Sequence, residues 1–308
     1  MKDGRFKLAT AGVVSALVAG FLFYVQHGSP ASPDRPYRGP PATPGPSVAR
    51  PEGTRHIALN TEPADYPALR GLGYDLVDVK PEPGAVASVP DGMRALLWAG
   101  NSQCGPFELP FEEFAAAVRR LAREPKVFGW YLSDEPNARE CPEVAGEIRR
   151  RADVVEREAP HQVSFISLTD FPMRPVSPAR VNVDLVGLDP YPCKGASHMR
   201  RSCNIAAIDR MVRMADVAGI ARETVVPVIQ TFGQSCSRGD KNYWLPSPDQ
   251  LNEILARWDL LIPNPPMDVS YSWGNQDEWA CPTLADADGR AGQPDLQAIM
   301  RARNLRRG

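Results

Sequence analysis

The chain has 308 residues, 43% of them hydrophobic, a formal net charge of −2 at pH 7 and an isoelectric point near 6.1. This length suffices for one large hydrophobic core or two small ones. The near balance of charge gives no basis for a nucleic-acid partner, because proteins that bind nucleic acids carry a marked excess of Lys and Arg.

The first 28 residues have the pattern of an export signal. Lys2, Arg5 and Lys7 precede an apolar run over residues 8–25. This run is longer than the apolar part of most cleaved signals and just long enough to span a bilayer. We expect residues 1–28 to be an uncleaved signal anchor or, alternatively, a signal peptide. In both cases the protein is extracytoplasmic, and it contacts the membrane only if the anchor is retained.

A proline-rich segment follows the export signal. Eight prolines lie from Pro30 to Pro51, mixed with Ser, Ala, Gly and Arg. Such a composition does not form a packed core, so residues 29–54 are predicted to be a disordered, semi-extended linker. The folded domain is predicted to occupy residues 55–308.

Eight short apolar segments rich in β-branched residues divide this domain at regular intervals. They cover residues 56–61, 74–79, 94–99, 127–133, 162–168, 183–188, 225–231 and 267–273. Several are followed by helical patterns, but the connections after the second and fifth are short and Pro-rich and predict little helix. Eight strand–helix units over about 250 residues predict a (β/α)8 TIM barrel. The main rival, an open doubly wound sheet, lacks the glycine-rich loop expected after its first strand.

Polar and aromatic residues follow the carboxyl ends of the strands, where active sites of this fold lie. Carboxylates suit proton transfer and stabilisation of positive charge, amides bind sugar hydroxyls, and aromatic rings stack on the apolar face of a sugar. The combination predicts a carbohydrate site at the barrel mouth. Its candidate residues are Glu62, Asn101, Asp134, Glu135, Asp170, Asp189, Tyr191, Gln230, Trp273 and Asn275.

The fourth strand runs directly into Asp134 and Glu135. Side chains alternate between the two faces of a strand, so Glu135 shares a face with Tyr131, whereas Phe128 and Trp130 share the other. We expect the bulky second set to contact the helices. Glu135 is then predicted to point into the barrel, with Asp134 beginning the loop.

The six cysteines predict disulfides in an oxidising compartment, because none lies in a CxxC spacing and the chain has only four histidines. A zinc site is not expected, and no motif indicates another metal or an organic cofactor. Each cysteine follows a predicted strand on the side of the polar residues. The proximity of neighbouring loops favours the pairs Cys104–Cys141, Cys193–Cys203 and Cys236–Cys281.

Four segments resemble the TIM-barrel glycoside hydrolase superfamily, especially the clan with catalytic glutamates on strands four and seven. They are WYLSDEP at 130–136, GLDPY at 187–191, VIQTFG at 228–233 and YSW at 271–273. The resemblance implies that Glu135 is the general acid/base. The chain departs from the clan at Asp134, where Asn usually precedes this Glu, and at Gln230, where the nucleophilic Glu would lie. An amide does not attack the anomeric carbon as a carboxylate does, so a strand-seven nucleophile is not available.

Three interpretations follow. In the first, a hydrolase uses a different second carboxylate; Asp189 is preferred, then Asp170, and Asp134 could assist. A separation of about 5–5.5 Å between that carboxyl group and Glu135 suits retention of the anomeric configuration, and about 6.5–9.5 Å suits inversion. In the second, an N-acetyl group of the substrate is the nucleophile, as in chitinase-like barrels, and Tyr191 and an Asp assist. In the third, the protein is a non-catalytic carbohydrate-binding barrel at the cell surface.

We predict the first interpretation, a monomeric glycoside hydrolase that acts on a carbohydrate or cell-wall polysaccharide. Acidic neighbours are expected to raise the pKa of Glu135, so that it donates a proton near neutral pH. The alternative that involves no carbohydrate is a structural or protein-interaction domain, because the fold alone does not determine function.

Overall fold

The computed structural model describes residues 53–195, 202–285 and 292–306. Eight parallel strands close into one barrel in chain order, and the last strand pairs with the first. They are β1 (Arg55–Ala58), β2 (Leu76–Val79), β3 (Arg94–Trp98), β4 (Val127–Asp134), β5 (Val163–Leu168), β6 (Leu185–Leu188), β7 (Val225–Gln230) and β8 (Met267–Tyr271). The predicted (β/α)8 barrel and all eight predicted strands are confirmed.

The predicted export signal and residues 29–52 of the predicted linker lie outside the described residues. Across the three described ranges, no helix combines the length and the apolar character needed to cross a membrane. The signal and linker therefore stay predictions from sequence.

Helices follow the strands on the outside of the barrel. They are α1 (Tyr66–Gly71), α2 (Pro83–Ser88), α3 (Phe111–Leu121), α4 (Glu143–Glu158), α5 (Pro178–Val181), α6 (Ala206–Ala218), α7 (Pro248–Leu261) and α8 (Pro294–Asn304). The connections after β2 and β5 hold only short helices, α2 of 6 residues and α5 of 4, as their length and prolines predict. The long helix α7 begins at a capping box formed by Ser247 and Gln250.

The core consists of two layers separated by the strand backbones. The interior layer fills the barrel with residues such as Ile57, Leu96 and Phe165, and the outer layer lies between strands and helices around Trp130 and Trp258. Each fully buried Leu, Ile or Phe side chain contributes about 1.5–3 kcal/mol by leaving water. Because parallel strands are buried on both faces, each reads in the sequence as a nearly continuous apolar run.

Strand β4 is irregular, and the predicted assignment of its two faces is wrong in part. The pairing with β3 skips Phe128, and the pairing with β5 skips Leu132. An extra residue of this kind interrupts the alternation of side chains. Phe128 therefore packs inside the barrel together with Tyr131, whereas Trp130 packs in the outer layer as predicted, together with Leu132.

A buried charge network lies where the first and last strands meet. Asp268 on β8 is fully buried, its Oδ1 lies 2.8 Å from Nδ1 of His56 on β1, and its Oδ2 accepts a hydrogen bond from Nε of Arg303 at 3.0 Å. Arg303 belongs to α8, so the last helix supplies a positive charge to this junction. Burial by itself would raise the pKa of Asp268, but His56 and Arg303 hold this pKa below its usual value.

Candidate functional site

The carboxyl ends of the strands surround a cavity of about 940 Å³, a volume typical of small-molecule sites. Carboxyl groups in its wall belong to Glu62, Asp78, Asp134, Glu135, Asp189 and Asp240. Aromatic side chains in the wall are Tyr66, Trp98, Tyr131, Phe165, Tyr191, Phe232, Tyr243, Tyr271 and Trp279. The wall thus combines acids and aromatic rings, the composition that the sequence predicts for a carbohydrate site.

Half of the predicted site residues meet in this cavity. Its wall includes Glu62, Asp134, Glu135, Asp189 and Tyr191. The other five predicted residues are not part of the wall: Asn101, Asp170, Gln230, Trp273 and Asn275. The strand ends therefore identify the right side of the barrel but not every residue that faces the cavity.

Asp134 and Glu135 both face the cavity, for different reasons. Asp134 lies opposite Ser167 in the β4–β5 pairing, so the strand register directs it inward. Glu135 follows with a φ of 49°, in the left-handed region that residues other than glycine seldom adopt. Its backbone N–H donates to the carbonyl of Ser167 at 3.0 Å. The inward position of Glu135 agrees with the prediction, but it results from this backbone turn and not from simple alternation.

Backbone strain is concentrated around the same cavity. Six non-glycine residues in the described part of the chain have a positive φ, and four of them lie in the cavity wall. These four are Asn60, Gln103, Glu135 and Tyr191. Strained backbone of this kind costs about 1–3 kcal/mol per residue and clusters at functional sites, where it positions a side chain.

Hydroxyl groups hold the carboxylate of Asp134 in place. Its Oδ1 accepts hydrogen bonds from the hydroxyls of Tyr131 at 2.7 Å and Ser167 at 2.6 Å, and Ser102 lies 3.5 Å from Oδ2. Burial, followed by the negative charge of Asp134, raises the pKa of Tyr131 well above its usual value, so the phenol remains a donor. The orientation of Asp134 is therefore fixed before any substrate binds.

Glu135 and Asp189 both lie in the wall of the cavity, and each carboxyl group influences the pKa of the other. Burial, then the charge of Asp134, raises the pKa of Glu135 to about 7, although Gln103 donates a hydrogen bond to its Oε2 at 3.3 Å. Burial, then the charge of Glu135, raises the pKa of Asp189 well above its usual value. The pair therefore retains a proton at neutral pH.

Asp189 is also poorly supplied with hydrogen-bond donors. It is 3% exposed, and within the described ranges its buried Oδ1 has no donor among the protein groups. A protonated Asp189 that donates to Glu135 is consistent with this environment. Asp134 and Asp189 both lie in the cavity wall with Glu135, so both stay candidates for the second carboxylate, and Asp189 stays the one that the sequence prefers.

Gln230 supports the loops and does not contact the cavity. It is fully buried, and its Oε1 accepts from the backbone N–H of Cys193 at 2.8 Å. Its Nε2 approaches the carbonyl oxygens of Cys193, Trp244 and Phe232 at 3.2, 3.1 and 3.4 Å. These contacts use the whole amide, so the substrate-binding role predicted for Gln230 is corrected to a role in joining the loops after β6 and β7.

The remaining four predicted residues lie around the site without entering it. Asn101 is buried, and its amide group donates to the carbonyls of Gln103 and Gly105 at 3.2 and 3.1 Å. Trp273 is buried in the outer layer of the core, and Asp170 and Asn275 are exposed outside the wall. Their predicted contact with substrate is therefore not supported, because each lies one to three positions along the chain from a residue that faces the cavity.

The sequence did not identify several residues that the cavity does contain. Gln103 contacts Glu135 and lies in the same loop as the predicted Asn101, two residues further along the chain. Phe232, Tyr243 and Tyr271 were also missed, and they form a ring cluster with the predicted Tyr191 at centroid distances of 5.0–5.8 Å. Tyr243 lies far along the loop after β7, and nothing in the sequence pattern indicates that it returns to the mouth.

Disulfides fix the loops at the barrel mouth. Cys104–Cys141, Cys193–Cys203 and Cys236–Cys281 are all formed, which confirms the predicted pairing. None of these thiols is free to bind a metal. In the part of the chain that the structure describes, no group of three His, Cys, Asp or Glu residues is arranged to hold a metal ion.

Comparisons with known proteins connect this barrel to glycoside hydrolases through structure alone. Lactobacillus rhamnosus β-glucuronidase has a TM-score of 0.57 at 13% identity, over 83% of this chain and 50% of its own. The apo β-glucuronidase of Ruminococcus gnavus has a TM-score of 0.55 at 11% sequence identity, and the match covers 83% of this chain and 50% of that protein. A calcium-binding mutant of Bacteroides uniformis β-glucuronidase 2 has a TM-score of 0.57 at 13% sequence identity, and the match covers 82% of this chain and 34% of that protein. No family model and no curated protein sequence matches the chain.

At 11–13% identity, these similarities establish the fold and not the reaction. The chain spans only 34–50% of the length of these solved proteins. The predicted resemblance to TIM-barrel glycoside hydrolases is thereby confirmed for the barrel, and the structural neighbours of this chain are glycoside hydrolases.

Proposed function

We propose that the protein is an extracytoplasmic glycoside hydrolase in which Glu135 is the general acid. The observation that carries this proposal is the position of Glu135 in an aromatic-lined cavity at the mouth of the barrel, where burial and the charge of Asp134 raise its pKa to about 7. A general acid acts best when its pKa lies near the working pH. The fold similarity to glycoside hydrolases supports the choice of carbohydrate as substrate.

In the proposed reaction, Glu135 transfers its proton to the glycosidic oxygen while the bond from this oxygen to the anomeric carbon breaks. The positive charge that develops on the sugar is stabilised by the carboxylate of Asp134. Asp189 donates a hydrogen bond to the newly formed Glu135 carboxylate. Water adds to the anomeric carbon and its proton returns to Glu135, which restores the starting state. Glu62 and Tyr191 in the cavity wall contact the substrate.

The test is turnover of aryl glycosides and cell-wall polysaccharides by the wild-type protein and by Glu135→Gln. Loss of the general acid is expected to lower kcat/KM by about 10²–10⁴-fold. Glu140→Gln is the matched control, because Glu140 is exposed in the same loop and lies outside the cavity wall; it is expected to retain activity. Equal turnover by wild type and Glu135→Gln on every substrate would contradict the proposal.

A non-catalytic carbohydrate-binding barrel is the second candidate function, and Gln230 is the observation that favours it. Strand seven offers an amide bound to backbone groups instead of a carboxylate that faces the cavity. Calorimetry with the same sugars separates the two functions. Binding by wild type without turnover of any substrate selects the binding function, whereas turnover that depends on Glu135 selects the hydrolase.

The extracytoplasmic location is part of the proposal, and three disulfides support it, since disulfides persist in oxidising compartments. Fractionation of cells that express the full chain gives the location. Mass spectrometry of the N-terminus of the recovered protein distinguishes a retained anchor from a cleaved signal peptide. Recovery of the protein in the cytoplasmic fraction with reduced cysteines would contradict this location.

A further inference from the structure

A second cavity adjoins the main one. Its volume is about 300 Å³, and it lies between the loop after β2 and helix α3. Lys80 and Trp98 line both cavities, so these two side chains form the boundary between them. Within the described residues, the carboxyl groups of Asp134, Glu135 and Asp189 do not line the second cavity. It is therefore a separate space that borders the main cavity at Lys80 and Trp98.

The lining of the second cavity suits a sugar ring. Leu109 and Trp98 give it an apolar surface, and Lys80, Glu108 and Glu113 add charged groups at its edge. In the described part of the chain, the side chains of Lys80, Glu108 and Glu113 make no ion pair or hydrogen bond with other protein groups. Their polar atoms are free to bind hydroxyls, while the indole of Trp98 offers a stacking surface.

A second exposed aromatic surface belongs to the loop after β8. Trp279 lies in the wall of the main cavity and is 58% exposed, which is unusual for so large an apolar side chain. Its backbone is held firmly, because its carbonyl accepts from Nε2 of Gln234 at 3.1 Å and its N–H donates to the carbonyl of Gln276 at 2.8 Å. An exposed indole on a well-held backbone at the edge of a polar cavity loses its contact with water when a sugar stacks on it.

We propose that the site binds a carbohydrate chain of several units, with additional subsites at the second cavity and at Trp279, and cleaves it within the chain. This inference rests on the proposed function and deepens it by specifying the substrate class. A site for a single terminal sugar needs only the main cavity. The neighbouring cavity across Trp98 and the exposed indole of Trp279 provide binding surface beyond the reacting unit.

The first test fills the second cavity. Ala116 on α3 is exposed and lines this cavity, so Ala116→Phe occupies its space without disturbing the core. Ala298→Phe is the matched control, because Ala298 is an exposed alanine on α8 outside both cavities. The probes are cello-, xylo-, manno- and chito-oligosaccharides of two to six units, compared with aryl monoglycosides. Ala116→Phe is expected to lower kcat/KM for the longest active oligosaccharide by about tenfold and to leave the aryl monoglycoside unchanged.

The second test removes the exposed indole. Trp279→Ala is expected to weaken binding of long oligosaccharides about tenfold, whereas Leu260→Ala, at a side chain 69% exposed on α7 and outside both cavities, has no effect. The first products from wild type are expected to be oligosaccharides. If sugars are cleaved but kcat/KM is independent of chain length and the first product is a monosaccharide, this inference fails alone. If no sugar is bound or cleaved at any length, the proposed function fails and takes this inference with it.

Discussion

Two buried aspartates, at opposite ends of the barrel strands, show how the same side chain serves different purposes. Asp189 follows β6 at the mouth and is 3% exposed, and Asp268 lies near the start of β8 and is fully buried. Burial disfavours the charged form of both. Asp268 has His56 and Arg303 as partners, which hold its pKa below the usual value. Asp189 instead faces the acid Glu135, and its pKa is raised.

The difference shows that burial alone does not determine the charge of a carboxyl group; its partners do. Near the amino ends of the strands the partners are His56 and the cation Arg303, and the ionised aspartate connects the first and last strands to α8. At the mouth the partners are acids, so a proton is retained there. We regard the first arrangement as structural and the second as the sign of a site that transfers protons.

The largest effect on stability is expected from Asp268→Asn, which removes the buried carboxylate at the amino end of β8. The substitution leaves the buried guanidinium of Arg303 without its carboxylate partner on β8. Breaking a buried pair in this way costs about 3–5 kcal/mol of unfolding free energy. Urea unfolding of the two proteins measures it. Asp216→Asn is the control, because the pair of Asp216 with Arg222 is exposed, and it is expected to leave the midpoint unchanged. An equal effect of the two substitutions would refute the structural role of Asp268.

A smaller effect of opposite sign is expected from Glu135→Gln. The folded-state pKa of Glu135 is about 7 against an ordinary 4.5, so the folded protein retains a proton that the unfolded chain releases. The contribution of Glu135 to the stability of the wild type is therefore lost as the pH rises from 4.5 through about 7. Gln has no proton to lose, and at pH 8 the variant is expected to be more stable by about 1–3 kcal/mol. At pH 4 the two should unfold together. A lower stability of Glu135→Gln at pH 8 would contradict the raised pKa.

The smallest effect is a shift of a pH profile. If Glu135 is the general acid, kcat/KM falls above about pH 7, where its proton is lost. The charge of Asp134 contributes to the raised pKa of Glu135, so Asp134→Asn is expected to move this alkaline limb to lower pH. The limb is measured with an aryl glycoside over a pH series, independently of any fall in kcat. An unchanged limb would mean that Asp134 does not act on Glu135 through its charge.

The strands, the closure of the barrel and the disulfides were predictable from sequence because each depends on local patterns. An apolar, β-branched run such as β7 is bounded by polar and glycine residues, and neighbouring loops bring their cysteines together. The acid at the mouth was predictable too, since strand ends of this fold converge. Glu135 is the clearest example.

The faces of individual side chains were less predictable, because small irregularities change them. The extra residues Phe128 and Leu132 in β4 leave no signature in the sequence, yet they change which side chains enter the barrel. Trp273 was expected at the mouth, but it follows β8 at a turn that directs it into the outer layer. A pattern of period two predicts a face only while the strand remains regular.

The amide of Gln230 has a consequence for how this barrel can evolve. Codons for Gln and Glu differ by one nucleotide, so the chain is a single mutation away from the strand-seven pattern of the clan it resembles. In the folded protein that mutation would set a carboxylate against the carbonyl oxygens of Cys193, Trp244 and Phe232, which the amide now contacts as a donor. These oxygens would repel the carboxylate of Glu, which would still not reach the cavity. A strand-seven carboxylate that faces the cavity therefore requires a different arrangement of the loops after β6 and β7, and not only a change of this one residue.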